Sequence, residues 1–157
     1  MTSLDLQDKL ADEIRNILSN YTYQTPSGER RNINVYTQEI PHQETDGDED
    51  PVPYLIVRIN DGGSKNEAQK DGPNVVNLVI IIAIYDMSLD AQGHRDVMNI
   101  IDKIYERFAK NPLLKDAGVF NGNHSWKLQE DDYYPYYFGA YAMSFEIPSI
   151  RREDPYA

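Results

Sequence analysis

The first apolar positions fall at Leu6, Leu10, Ile14, Ile17 and Leu18, the three- and four-residue spacing of a single helical face. With Ser3 as cap and Asp5 and Asp8 near the positive end of the helix dipole, this predicts a helix over residues 4–18. The period then changes. Residues 32–40 hold Ile33, Val35 and Tyr36 in an extended run stopped by Pro41, which predicts a strand. Residues 41–53 set Glu44, Asp46, Asp48, Glu49 and Asp50 among prolines, too polar and too interrupted to pack, and predict a surface loop. Two strands follow at 54–60 and 75–85, joined by residues 61–73 as a long-looped hairpin. The second carries Val75, Val76, Val79, Ile80, Ile81, Ile82 and Ile84 on both faces, the pattern of a central strand covered on both sides. At roughly 3.3 Å per residue it spans more than about 30 Å, so part of it is expected to project beyond its own domain.

In the second half, Val97, Ile100, Ile101, Ile104, Tyr105 and Phe108 share one helical face, with Asp96, Lys103, Arg107 and Lys110 mainly off it; Asn111 and Pro112 end the pattern. Trp126 and Leu128 alternate with Lys127 and Gln129 after an Asn121-Gly122 turn signal, which predicts a half-buried strand. A second turn is expected at residues 131–135. The last strand puts Gly139, Tyr141, Met143, Phe145 and Ile147 on one face and Ala140, Ala142, Ser144 and Glu146 on the other, whose small residues are expected to admit a helix closely. No internal repeat is visible. The order helix, three strands, helix, two strands predicts an α+β fold: a mainly antiparallel sheet of about five strands with two helices packed on one face. One domain is expected over residues 1–157, with loops 41–53 and 61–73 mobile in the isolated subunit and ordered against neighbours.

Composition narrows the function classes. With 26 acidic against 15 basic residues the net charge is -11, which repels phosphate backbones and argues against sequence-specific nucleic-acid binding. The absence of cysteine excludes a disulfide framework and thiolate metal sites, and makes folding inside the cell the expectation. Met1 to Leu6 are polar and acidic where an export signal would be basic and then apolar, and the longest apolar run, residues 78–85, is far short of the roughly 20 residues a bilayer span needs. Neither export nor a membrane partner is expected, and sequons at Asn20 and Asn123 read as chance.

Asp46, Asp48 and Asp50 take the first, third and fifth places of a calcium-binding EF-hand loop, but Pro51 stands where glycine is needed and Val57 where the bidentate glutamate belongs. His42, His94 and His124 lack metal-site spacing and read as solvated or locally hydrogen-bonded. Gly62-Gly63-Ser64-Lys65 fits neither a nucleophile elbow nor a phosphate-binding loop, and Glu130, Asp131 and Asp132 sit at a turn where solvation explains them. No catalytic, cofactor-binding or metal-ligating residue is assigned. The oddity is tyrosine, 12 in all, with Tyr133, Tyr134, Tyr136, Tyr137 and Tyr141 gathered around Pro135; core packing and a protein interface both account for such residues.

The amphipathic block at residues 92–114 follows a long buried strand and precedes Trp126-Lys127-Leu128 and the run Tyr134-Pro135-Tyr136-Tyr137-Phe138-Gly139-Ala140-Tyr141. Together with the leading helix and the acidic inter-strand loop, this resembles the tail-terminator (tail-completion) proteins of long-tailed bacteriophages. The resemblance covers most of the chain in element order. It implies a structural virion protein, assembled in the host bacterial cytoplasm, that forms a homo-oligomeric ring, usually of six subunits, on the head-proximal end of the tail tube. Its implied partners are itself, the tail-tube protein, and a neck or head-completion protein. It implies no catalysis and no cofactor, and gives the acidic balance a use: a negative lumen lets DNA pass without sticking. The readings left beside it are a small ferredoxin-like ligand-binding or regulatory module and an enzyme with a dispersed active site.

Overall fold

A computed structural model describes residues 2–42, 50–64 and 74–148. Thr2 opens α1 (Ser3–Ile17): its hydroxyl accepts the Asp5 N–H and Asp5 Oδ2 accepts the Thr2 N–H, both at 3.1 Å. This reciprocal cap sits one residue earlier than the Ser3 cap expected. Beyond α1 come β1 (Tyr23–Gln24), β2 (Arg30–Arg31), β3 (Asn34–Thr37), β4 (Tyr54–Gly63), β5 (Asn74–Tyr85), α2 (His94–Lys110), β6 (Leu113–Leu114), β7 (Gly118–Leu128) and β8 (Tyr136–Ile147). β1 and β2 form a separate ribbon. The others make one six-stranded sheet in the order β3-β4-β5-β8-β7-β6.

The fold is therefore α+β, and the sheet is mainly antiparallel as expected, with six strands instead of about five and one parallel pair. β3 and β4 run parallel, Asn34 beside Tyr54 and Thr37 beside Val57. A parallel pair needs a crossover of a dozen or more residues, and residues 38–53 supply that length: the surface loop expected at 41–53 together with residues 38–40, which were expected in the strand. The loop is not idle at its end: Arg31 Nη2 donates to the carbonyls of Pro51 at 2.7 Å and Val52 at 2.8 Å, and Val52 is buried. Residues 43–49 and 65–73, where most of the expected mobile loops fall, lie outside the described residues.

One main core lies between the helices and one face of the sheet. α1 contributes Leu6, Leu10, Ala11 and Ile14, and α2 contributes Val97, Ile100, Ile101, Ile104 and Phe108, against Leu55, Val57, Leu78, Ile80, Ile82, Tyr141 and Phe145. α2 packs on the Gly139 face of β8 and not, as expected, on the face with Ala140, Ala142 and Ser144. At Gly139 a Cβ would stand 2.5 Å from Val97 Cγ1, so one missing side chain admits the helix while Tyr141 and Phe145 fill the space beside it.

Among the described residues the opposite sheet face carries no helix. Ala83 and Tyr85 are buried there under Val52, Tyr54, Tyr136 and Phe138, but Val75, Asn77, Val79 and Ile81 stay partly exposed. β5 is thus covered on both sides only at one end. It is also paired with β8 along its whole length, Asn74 beside Ile147 and Tyr85 beside Tyr136, so it lies within its own sheet instead of projecting from it.

β7 starts well before Trp126, at Gly118. Asn121-Gly122 is no turn between elements but part of a bulge inside the strand, where Gly122 takes φ +90° and the register slips between Phe120 and His124.

Candidate assembly surface

The residues that carry chemistry are dispersed. His42 and His94 are exposed, and among the described residues no group of three His, Asp or Glu side chains converges to hold a metal ion. Asp50 accepts from the Val52 N–H at 3.1 Å and the Tyr136 hydroxyl at 3.0 Å. At the β7–β8 turn Glu130 pairs with Lys127 at 2.8 Å, both mostly in solvent, and Asp132 accepts the Tyr134 N–H at 2.9 Å. Gly62 and Gly63 end β4.

His124 is exposed as well but engaged by its neighbours. The β7 bulge turns it toward α2, where its ring stacks on Tyr105 with centroids 4.5 Å apart and Nδ1 lies 2.8 Å from the Tyr141 hydroxyl. Tyr141 is fully buried, and burial, helped by Tyr105 and Asp102, pushes its phenol well above the ordinary range. The imidazole therefore satisfies a hydroxyl that would otherwise be orphaned. Tyr23, buried beside Asp96, is pushed up to about 12, chiefly by burial; Asp96 is itself raised, by burial and then by Asp86.

The other clustered tyrosines divide between core and surface. Tyr137 packs its ring on Gly93, Tyr136 meets Tyr85 edge-on at 5.4 Å, and the Tyr134 hydroxyl donates to the Met87 carbonyl at 2.5 Å. Around that last bond lies an exposed apolar patch, with Leu89 95%, Met87 58% and Tyr133 52% exposed. Toward the other end of the sheet a basin of about 320 Å³ mixes Asn60, Asp61, Asn77, Asn123 and Ser144 with Val79, Ala142 and Met143.

The two sheet edges differ. Along β3 the Val35 carbonyl accepts from Arg15 Nη2 at 2.8 Å and the Thr37 carbonyl from the Glu39 N–H at 2.8 Å. Where β3 stops, the Gln38 side chain continues it: Oε1 accepts the Ile59 N–H at 3.0 Å and an amide hydrogen of the buried Gln7 at 3.0 Å, while Gln7 also donates to the Val57 carbonyl at 2.8 Å. Gln7 and Gln38 were not singled out in sequence; the available signal was a polar residue at position 7, on the stripe of Leu10 and Ile14. On the far side, β6 covers only Gly118 and Val119 of β7. Residues 121–128 are an outer strand, mostly exposed, with Trp126 53% in solvent. Among the described residues, the edge of β7 over residues 121–128 and the helix-free sheet face are the parts of the sheet left without a covering element. Neither a protein-family model nor a curated protein matches this sequence.

Proposed function

We propose that this chain is a structural virion protein of the tail-terminator kind, which forms a ring, with six subunits, on the head-proximal end of a phage tail tube. The ring stops tube polymerisation and offers the surface to which a neck or head-completion protein joins. In this reading the protein is not an enzyme and needs no cofactor. The supporting observation is that the sheet's ends are unlike: Met87, Leu89, Tyr133 and Tyr134 stand exposed at one with no charged side chain among them, while a basin toward the other mixes asparagines, Asp61 and Ser144 with Val79, Ala142 and Met143. A cyclic ring keeps all its subunits pointing the same way, so such a difference gives it two unlike faces, as a cap between tube and neck requires. Subunits of charge -11 repel, and the ring is then strengthened by salt, which shortens the Debye length from about 30 Å at 0.01 M to about 3 Å at 1 M. Sedimentation across a salt series, with and without purified tail-tube protein, is expected to show a closed oligomer at high salt or on tubes. Tails assembled without the protein are expected to be overlong. A strictly monomeric species under every condition, together with tails of normal length, would sink the reading.

A further inference from the structure

Asn121 is the one asparagine in the chain that is followed by glycine. An asparagine side chain can react with the main-chain nitrogen of the residue after it, provided that nitrogen is unshielded and within reach. Glycine, with no Cβ, leaves it unshielded. Reach is a matter of backbone shape, because a regular strand stands its side chains out of the pleat and away from their own main chain.

Asn121 escapes that restraint. Phe120 pairs with Phe145 and His124 with Met143, so residues 121–123 stand opposite the single Ser144. Within this bulge Gly122 takes φ +90°, and no atom lies within 4 Å of the place a Cβ would occupy. The Asn123 N–H donates to Asn121 Oδ1 at 2.9 Å, an Asx turn that folds the side-chain amide back over the Gly122 nitrogen. Asn121 is half-buried and Gly122 and Asn123 are exposed, so water has access.

We infer that Asn121 is a site of spontaneous modification, at which the folded protein converts its own side chain to aspartate and isoaspartate. Hydroxide takes the Gly122 amide proton and the Gly122 nitrogen bonds to Asn121 Cγ. The Asn123 N–H, already on Oδ1, stabilises the negative charge that develops on that oxygen. The Cγ–Nδ2 bond then breaks, and Nδ2 takes a proton from water and leaves as ammonia. Water opens the resulting cyclic imide. Cleavage of the new bond between the nitrogen and Cγ gives aspartate; cleavage between the nitrogen and the Asn121 main-chain carbonyl carbon gives isoaspartate, with the chain running through Cγ. No atom changes oxidation state, and hydroxide, water and ammonia are all that is exchanged with solvent.

The product alters β7 twice over. Residues 118–128 carry Lys127 and no carboxylate, and the reaction places one among them. Isoaspartate also lengthens the main chain by one carbon inside the bulge that brings His124 to the Tyr141 hydroxyl. The reaction needs no partner chain and so stands apart from the ring reading.

Asp61-Gly62 supplies an internal contrast, since an aspartate before glycine can close the same imide. There both residues are held in the ladder, opposite Asn77 and Val76, and Asp61 Oδ1 accepts from Asn77 Nδ2. A Cβ on Gly62 would meet the Val75 carbonyl oxygen at 2.8 Å, so the imide has no room to form.

Full-length protein is held folded at mildly alkaline pH while peptide mapping by mass spectrometry follows every asparagine and Asp61. Asn121 is expected to convert before any other asparagine, giving both aspartate and isoaspartate, while Asp61 stays unchanged. The rate should rise in proportion to hydroxide and stay constant in urea below the unfolding transition. Gly122→Ala, whose Cβ shields the nitrogen, is expected to slow conversion by about tenfold or more. Asn123→Pro removes the N–H on Oδ1, keeps Gly122, and is expected to slow it as well at an edge position that tolerates proline. Another asparagine converting first, or a rate that follows the urea-unfolded fraction, overturns the inference. An unchanged rate in a folded Asn123→Pro also overturns it, since the reaction would then owe nothing to the turn.

Discussion

Gly139 and His124 each answer to a buried neighbour, Val97 for the first and Tyr141 for the second. At Gly139 a Cβ would meet Val97 Cγ1 at 2.5 Å, and a stiff β-branched side chain in a packed helix face has little room to yield. Gly139→Ala is therefore expected to lower stability by about 1–3 kcal/mol, read as a lower urea midpoint with an unchanged slope. Ala140→Ser, on the partly exposed opposite face, is expected to be nearly silent. Sequence patterning put Gly139 on one face with Tyr141, Met143 and Phe145, but the helix was expected on the small-residue face opposite. Periodicity reports which side chains share a face, whereas the helix position depends on the depth of a gap three-dimensional neighbours create. For His124 the expectation is a pairwise one. His124→Ala orphans the buried Tyr141 hydroxyl and should cost about 1–3 kcal/mol, Tyr141→Phe should cost less, and the double variant should cost less than the two summed. A double-mutant cycle by chemical denaturation measures this; strict additivity would mean the contact carries no energy.

At the level of elements, the Gln38 side chain acts as a one-residue extension of β3. Gln38→Ala removes the acceptor for the Ile59 N–H and one of the two acceptors of the buried Gln7 amide, which keeps only the Val57 carbonyl, so a loss of about 1–3 kcal/mol is expected, with faster amide exchange at Ile59 but not at Ile80. The helices and the long strands were legible because their repeats run for several turns or pairs: α1, α2, β4, β5 and β8 all stand close to where hydrophobic spacing puts them. Shorter pieces were not. β1, β2 and β6 have two residues each, which no period can reveal, and the Asn121-Gly122 pair has the same chemistry in a bulge as in a turn. The parallel β3–β4 pair was hidden for another reason, since chain order alone does not say whether an intervening loop turns back or crosses over. The candidate surface was the least legible part, because an edge is defined by the strands that fail to reach it.

For the whole molecule, buried phenols set an alkaline limit. Tyr23 keeps its proton to about 12 when folded, against about 10 in an unfolded chain, so between those values the unfolded state has lost a proton that the native state retains. Stability from this group is fully present below pH 10 and falls as pH rises toward 12. Relative to pH 8, the wild type should lose roughly 1 kcal/mol through Tyr23 at pH 11, and Tyr23→Phe should flatten that part of the urea-midpoint profile. An identical slope in the variant would assign the loss elsewhere. The order of strands has a further consequence, in time rather than in space. β4 with β5, and β7 with β8, are pairs of strands adjacent along the sheet and successive in it, but β5 meets β8 only across the whole of α2, β6 and β7. During synthesis β5, the most apolar strand, must wait with an unpaired side until Ile147 has left the ribosome, and pairing between such distant segments is slow because chain closure comes before its reward. Slowed translation or truncation within residues 118–147 should thus send the nascent chain to chaperones or aggregates, while the same delay before β4 should be harmless.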